Sequence, residues 1–338
     1  MSILTQDKVI IAFKQLGSKL INPTDIVENE VNGALNSNAW FTLDNVKKSI
    51  ASFAAMLNSQ DIDTWFQAIK FSSSPKKIGL ILAGNIPMVG FHDVLCVLAT
   101  GNIALIKLSS SDDKLIKTVI TELIKIEPAF ADKIQYVERL KGFDAVIATG
   151  SNNSSRYFDF YFSKVPNIIR KNRNSVAVLS GTETEAELNR LGADIFDYFG
   201  LGCRNISKIY FPEGYNIANF YEGIESYQPI INHFKYNNNY DYNKSIYLVN
   251  AAKHFDNGFL LLKEDKNIAS PLAVLFYEEY KSINEVENTL NEQAENIQCI
   301  VTQVPLRMKT FNFGESQHPK LWDYADNVNT VEFLNGLN

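Results

Sequence analysis

Glu183-Thr-Glu-Ala-Glu-Leu-Asn-Arg-Leu-Gly-Ala-Asp-Ile-Phe-Asp-Tyr-Phe-Gly-Leu-Gly-Cys-Arg-Asn-Ile-Ser-Lys-Ile-Tyr-Phe211 is the stretch on which the reading of this chain turns. Its first half places Leu188, Leu191, Ile195 and Phe199 on one face of a helix, and Ile206 to Phe211 reads as an apolar strand. Between them Gly200-Leu201-Gly202 forms a hinged turn that carries Cys203 and Arg204. The glycines leave room for another molecule's carbonyl to approach the thiol, and the adjacent arginine favours a thiolate. A presented nucleophile fits this arrangement. So does a buried structural cysteine in a helix-to-strand turn, and the segment by itself accommodates both.

Outward from this turn the chain alternates strand and helix. Upstream, Ser175 to Leu179 is a strand; downstream, a helix is expected near Ile217 to Ile224, then strands at Phe259 to Leu262, Leu272 to Tyr277 and Cys299 to Thr302, with a charged helix at Val286 to Ile297. The Asn237-Asn238-Asn239-Tyr240-Asp241 tract reads as a surface loop. Before Pro166 the same alternation appears, with strands at Ile78 to Ala83, Ile103 to Leu108, Ile134 to Val137 and Ala145 to Ala148. Helices are expected at Val89 to Thr100, Asp112 to Ile126 and Ser154 to Lys164, and residues 1 to 70 read as helices without evident chemistry. Short apolar strands separated by helices imply doubly wound parallel sheets, whose ligands sit at the carboxyl ends of the strands. Those ends carry Gly84-Asn85-Ile86-Pro87, then Lys107-Leu108-Ser109-Ser110-Ser111, then Thr149-Gly150-Ser151-Asn152-Asn153. A G-x-G-x-x-G dinucleotide fingerprint is absent.

Composition bounds the rest. At 338 residues two domains are expected, and 46% apolar with 21% charged residues is ordinary for a globular protein. A formal charge of −6 without a basic run argues against nucleic acid as a partner. Three widely spaced cysteines are no disulfide framework, and no apolar stretch reaches the ~18 residues of a membrane span, so a cytoplasmic protein is expected. Cys96 and Cys299, in apolar runs, read as small core residues. His92, His233, His254 and His318 lack metal-ligand spacing, so no metal is expected.

With Gly84-Asn85-Ile86-Pro87, Lys107 at a strand end, Gly150-Ser151 and Gly202-Cys203 in this order, the chain resembles the aldehyde dehydrogenase superfamily. Within it, the chain looks most like the long-chain acyl-CoA reductases of the LuxC type known from bacterial bioluminescence, over roughly residues 75 to 280 and again at Gln317-His318-Pro319 and Asp323-Tyr324-Ala325-Asp326. The resemblance implies an α/β, aldehyde-dehydrogenase-like fold: N-terminal helices and a cofactor domain over 1–173, a catalytic domain over 174–305, and a returning arm over 306–338.

Carried over residue by residue, Cys203 is the nucleophile that takes up the acyl group of a thioester, from acyl-CoA or acyl carrier protein, and Asn85 is the oxyanion donor. Lys107, Ser109 and Ser110 face the adenosine ribose, Gly150 and Ser151 the pyrophosphate, and Asn267 stands near the nicotinamide ribose. Two departures matter. The superfamily's water-activating glutamate is missing from Arg170-Lys171-Asn172-Arg173-Asn174, and its ribose-binding glutamate is missing from Asn267-Ile268-Ala269-Ser270-Pro271. Ser110, where NAD-selective members carry a glutamate, implies NADPH as cofactor. The expected activity is reduction of a fatty acyl thioester to the aldehyde. The rivals are a cysteine acyltransferase or thioesterase working with His318 or His92, and a non-catalytic member of the fold. The aromatic arm, with Phe311, Phe313, Trp322, Tyr324 and Phe333, is expected either to build a homo-oligomer or to pack on its own subunit.

Overall fold

In the computed structural model the chain is described over residues 3–22 and 25–337. It divides into two compact units, Met1–Asn172 with Pro319–Asn338, and Arg173–His318.

The first unit opens with α1 (Gln6–Ile21), α2 (Asp25–Ser37), α3 (Leu43–Met56) and α4 (Ser59–Phe66). Thr5, Thr42 and Asn58 begin α1, α3 and α4 by accepting a backbone N–H from three residues on. Then come β1 (Lys77–Ile81), α5 (Phe91–Ala99), β2 (Ile103–Lys107), α6 (Lys114–Ile126), β3 (Ile134–Tyr136), β4 (Ala145–Thr149), α7 (Asn152–Phe162) and β5 (Asn167–Arg170). The strands pair parallel in the order β3-β2-β1-β4-β5, so the chain winds one way from β1 to β3 and the other way from β4 to β5. Ile78, Leu80, Ala104, Ile106 and Ala145 are buried with α5 and α6 in one core, which explains why these strands read as unbroken apolar runs. Such a reversal of winding, here between β1 and β4, leaves a crevice at the carboxyl ends of the strands.

The second unit runs β6 (Asn174–Val178), α8 (Glu185–Phe196), β7 (Ile206–Pro212), α9 (Ile217–Gly223), α10 (Phe234–Val249), β8 (Phe255–Asp256), β9 (Leu261–Glu264), β10 (Val274–Tyr280), α11 (Ile283–Glu292) and β11 (Ile297–Thr302). Its sheet has the order β11-β6-β7-β10-β9-β8, parallel apart from β8 against β9. Leu188, Leu191, Ile209, Phe211 and Phe220 fill one face and Val176, Val178, Tyr210, Val286 and Leu290 the other. The fold is therefore α/β and doubly wound.

One expectation is corrected here: Asn237 to Asp241 lies inside α10 and is no loop. Tyr236, Tyr240, Asn243 and Tyr247 recur at helical spacing and are buried, so aromatic periodicity prevails over the polar composition around it. The C-terminal stretch divides between the units. Residues up to His318 stay with the second unit, where Phe313 is buried. From Pro319 onward the chain lies with the first unit, where Leu321, Tyr324, Val331 and Leu334 join the core and α12 (Thr330–Asn335) closes the chain. Trp65 Nε1 donates to Tyr324 Oη at 2.9 Å, and the His92 ring meets the Leu321 carbonyl at 3.0 Å. Among the arm's aromatic residues, Phe313 and Tyr324 thus pack on their own chain.

Candidate active site

The Cys203 turn is built in the second unit by departures from regular structure. Thr184 and Glu187 form a reciprocal cap at the start of α8, and the helix stops at Phe196. Phe199, expected on the helix face, instead follows Tyr198 in the left-handed region, with φ of 58° and 55°, and Gly200 continues there at 76°. A left-handed non-glycine residue costs on the order of 1–2 kcal/mol, so two in succession require a surrounding structure that enforces them. Asn205 supplies part of it. Its Nδ2 donates to the carbonyls of Asp197 at 2.8 Å and Asp194 at 3.1 Å, ending α8, while its Oδ1 accepts the Gly202 N–H at 2.8 Å. From the neighbouring strand, Ser175 Oγ donates to the Cys203 carbonyl at 2.9 Å and accepts the Cys299 N–H at 3.0 Å. Cys203 itself is half-buried, whereas Cys96 and Cys299 are buried.

Arg204 also reaches beyond its sequence neighbour. Its Nη1 donates to Cys299 Sγ at 3.2 Å and its guanidinium lies 5.7 Å from the Phe311 ring centre. The cation next to Cys203 in sequence thus also contacts the buried Cys299 thiol. Asp194, fully buried on α8, accepts the N–H groups of Gly314 at 2.6 Å and Ser316 at 2.9 Å and so fastens residues 314–316 beside the turn. Burial pushes its carboxyl up to about 6.

Asn267 lies exposed on the loop between β9 and β10. Asp265 Oδ1 accepts both its N–H, at 3.0 Å, and its Nδ2, at 2.8 Å. Two successive β7 residues hold this loop. Lys208 Nζ donates to the Asp265 carbonyl at 2.9 Å and to Glu278 Oε2 at 2.5 Å, and Ser207 Oγ donates to the Ile268 carbonyl at 2.7 Å. Running from Lys208 to Ser207, the loop travels back toward the start of β7, where a Cβ added at Gly200 would lie 3.5 Å from Leu272. The second unit thereby brings the end of the Asn267 loop against the Cys203 turn. The sequence reading overlooked Ser175, Asn205 and Lys208; only Asn205, an Asx residue two places after the cysteine in a turn, had a local signal.

In the first unit Asn85 is exposed on the loop after β1. A Cβ at Gly84 would come within 2.6 Å of Ser109 Oγ, so the loops after β1 and β2 touch at that glycine. Lys107 and Ser110 are exposed and Ser109 is half-buried. Gly150 precedes Ser151, which caps α7, its Oγ accepting the Ser154 N–H at 3.3 Å. Because β2, β1 and β4 are adjacent, a cation, several hydroxyls and a helix N-terminus collect at the carboxyl ends around the reversal of winding. Such a donor set fits the phosphates and ribose of a dinucleotide. Arg170 is committed elsewhere: buried, it lies 2.6 Å from Asp93 Oδ1 and donates to Thr330 Oγ1 at 2.9 Å. Among the rivals' histidines, His92 is engaged with Leu321 and His318 is exposed. Among the described residues no group of three His, Cys, Asp or Glu could hold a metal ion, and no helix is long and apolar enough to cross a membrane.

The model of the acyl-CoA reductase (LuxC) family matches residues 54–205, a span that runs from α3 through every strand end described in the first unit to the Cys203 turn. Among solved structures, an NADP-dependent enzyme of E. coli is similar with a TM-score of 0.68 at 12% identity, over 90% of this chain and 74% of that one. Aldehyde dehydrogenase 21 of Physcomitrella patens, bound to its product succinate, gives 0.63 at 13% identity over 89% and 74%. An aldehyde dehydrogenase of Mycobacterium tuberculosis with NAD+ gives 0.64 at 11% identity over 88% and 73%. No curated protein matches significantly. At such identities the likeness establishes the fold, which is that of the aldehyde dehydrogenases.

Proposed function

We propose, taking residues 54–205 as an acyl-CoA reductase (LuxC) segment and the chain as an oxidoreductase of aldehyde-dehydrogenase-like fold, that it reduces a long-chain acyl thioester to the fatty aldehyde with NADPH, through an acyl group held on Cys203. The observation that carries this reading is the turn at Cys203. A half-buried thiol sits three residues after a run of left-handed backbone at Tyr198 to Gly200, with the turn fixed by Ser175 and Asn205. Local strain enforced by buried side chains is characteristic of functional positions.

In the first stage the Cys203 thiolate attacks the carbonyl carbon of an acyl-CoA or acyl carrier protein thioester. A carbon–sulfur bond forms and the carbonyl electron pair moves onto oxygen, where the Asn85 amide and the Cys203 N–H stabilise it. Collapse breaks the bond to the carrier, whose thiolate departs, leaving the acyl group on Cys203. When bound, NADPH would supply a hydride to the acyl carbonyl carbon on Cys203. The Cys203 sulfur then leaves as thiolate and aldehyde departs, so that acyl thioester, NADPH and one proton become aldehyde, NADP+ and thiol. Lys107, Ser109 and Ser110 hold the adenosine ribose and its 2′-phosphate, Gly150 and Ser151 the pyrophosphate, and Asn267 the nicotinamide ribose. No acid replaces the water-activating glutamate in Arg170 to Asn174, and Arg170 is occupied by Asp93, which supports a thioester that hydride discharges faster than water. This is the chemistry of a cytoplasmic enzyme.

Incubation with a long-chain acyl-CoA and no reductant should add one acyl mass to the intact protein, lost on adding NADPH or hydroxylamine. Cys203→Ala should abolish the adduct while Cys96→Ala keeps it. Labelling that persists in Cys203→Ala would overturn the assignment, and an adduct that hydroxylamine removes but NADPH does not would favour the acyltransferase reading.

A further inference from the structure

Asn85 is exposed on a loop that the structure holds from beneath. The loop after β1 carries Met88 at a φ of 58°, left-handed although it has a side chain. Left-handed conformation in a bulky residue persists only where the surroundings over-determine it. Two buried polar side chains provide that constraint. Ser49, on α3, donates its Oγ to the Pro87 carbonyl at 2.8 Å. Asp112, in the segment between β2 and α6, accepts the Met88 N–H on Oδ2 at 2.6 Å. Both are almost fully enclosed, Ser49 at 3% and Asp112 at 3% exposure; Ser49 is distant from Asn85 in sequence, and Asp112 follows the Ser109-Ser110-Ser111 run, its N–H donating to the Ser109 carbonyl at 3.2 Å.

Asp112 is an expensive way to hold the Met88 N–H. Burial pushes its carboxyl up to about 7, with only the Met88 and Ile116 N–H groups pulling it back and Asp113 adding to the rise. Its Oδ1 is buried without a hydrogen-bond partner. A serine or an asparagine in its place would satisfy Met88 at lower cost in desolvation. The peptide it holds lies two to three residues after Asn85, so fixing that peptide fixes the loop that carries the exposed amide.

We infer that Asp112 and Ser49 are positioning residues for the reaction: they clamp the peptide following Pro87 from two sides and so fix where Asn85 presents its amide. The inference rests on the reading of Asn85 as the oxyanion donor. A loop that rocks by about 1 Å forfeits up to about 100-fold in rate even when the donor is intact. Asp112 touches neither substrate nor cofactor in this account and acts only through Asn85.

The test is a double-mutant cycle read by the pre-steady-state rate at which acyl-CoA acylates Cys203, with no cofactor present. Asn85→Ala is expected to slow acylation by about 100-fold. Asp112→Ala, which removes the acceptor, should slow it by about 10-fold without changing the acyl-CoA concentration at half-saturation. Asp112→Asn keeps an acceptor for Met88 and should restore most of the rate. In the Asn85→Ala background, Asp112→Ala should have no further effect, because the donor it positions is gone. Ser49→Ala should follow the same pattern and serves where Asp112→Ala does not fold. Additive losses in the double variant would mean that Asp112 acts through the general integrity of the unit and would overturn the inference. An unchanged rate in Asp112→Ala, with Asn85→Ala still impaired, would do the same. If Asn85→Ala itself acylates normally, the reading of Asn85 fails and the inference falls with it.

Discussion

Asp194 joins stability to the geometry of the Cys203 turn. Its side chain grips residues 314–316 and its carbonyl accepts from Asn205, so one residue links the end of α8, the turn and the strap beside it. Burial, opposed by the Ser316 and Gly314 N–H groups, raises its carboxyl from 3.8 to about 6. An acid whose pKa is raised on folding holds its proton more tightly in the folded chain. Its contribution is therefore full below the unfolded value, near 3.8, and is lost as pH rises through about 6. The shift corresponds to on the order of 3 kcal/mol. Asp112 acts in the same direction, with its window closing near 7. The urea midpoint should fall between pH 4.5 and 7.5. In Asp194→Asn the part of that fall below pH 6.5 should shrink, whereas an identical pH dependence in wild type and variant would remove Asp194 as its source. The lowered carboxyls of Glu122, Asp256 and Asp265 work the other way, but only below their ordinary range, outside this interval.

At the scale of elements, β7 is the member that serves both candidate roles in the second unit. It starts three residues after Cys203, and through Ser207 and Lys208 it holds the loop that carries Asn267. Burial pulls the Lys208 ammonium down, opposed by Glu278, so the residue is costly to keep charged and is retained by the contacts it makes. Lys208→Met should leave acylation of Cys203 within about two-fold of wild type while raising the NADPH dissociation constant about ten-fold. Backbone hydrogen exchange over residues 265–273 should quicken in the same variant. Unchanged exchange in that loop would show that β10 and Asn243, whose Nδ2 donates to the Leu272 carbonyl at 2.9 Å, suffice to hold it. The alternation of strands and helices was legible because apolar runs and helical spacing are local properties, and so was the placing of Lys107, Ser109 and Gly150-Ser151 at strand ends. β5 was not, since Asn167 to Arg170 offers four residues, of which the last is an arginine buried only by virtue of Asp93, distant in sequence. Nor was Arg204's contact with Cys299, which the pairing of β11 with β6 delivers to it. Ser175 and Lys208 carry no local mark at all, because their partners are more than twenty-five residues away.

Over the whole molecule, α7 offers a second surface for self-association besides the tail. The sequence leaves the aromatic arm two fates, and Phe313 and Tyr324 are buried in the cores of their own units while Trp322 stays 39% exposed. On α7, by contrast, Tyr157, Phe160 and Tyr161 are 66%, 78% and 71% exposed on an eleven-residue helix. Three large aromatic side chains within five positions form a contiguous patch, and a patch of that kind on a soluble protein marks a contact surface. Arg156 and Asp159 lie on the same helix, Asp159 paired with Lys171 at 3.5 Å, so the aromatic rings are the part of this face that a second copy would cover. We therefore expect a homodimer built on α7 at micromolar concentration, seen as a single dimeric species in sedimentation velocity. Phe160→Asp, which places a charge in the centre of the patch, should yield monomer while acylation of Cys203 by acyl-CoA persists, because α7 contributes only its N-terminal cap to the proposed chemistry. A wild-type protein that sediments as a monomer at tens of micromolar would eliminate the dimer, and a dimer that survives Phe160→Asp together with Tyr161→Asp would place the interface on another surface.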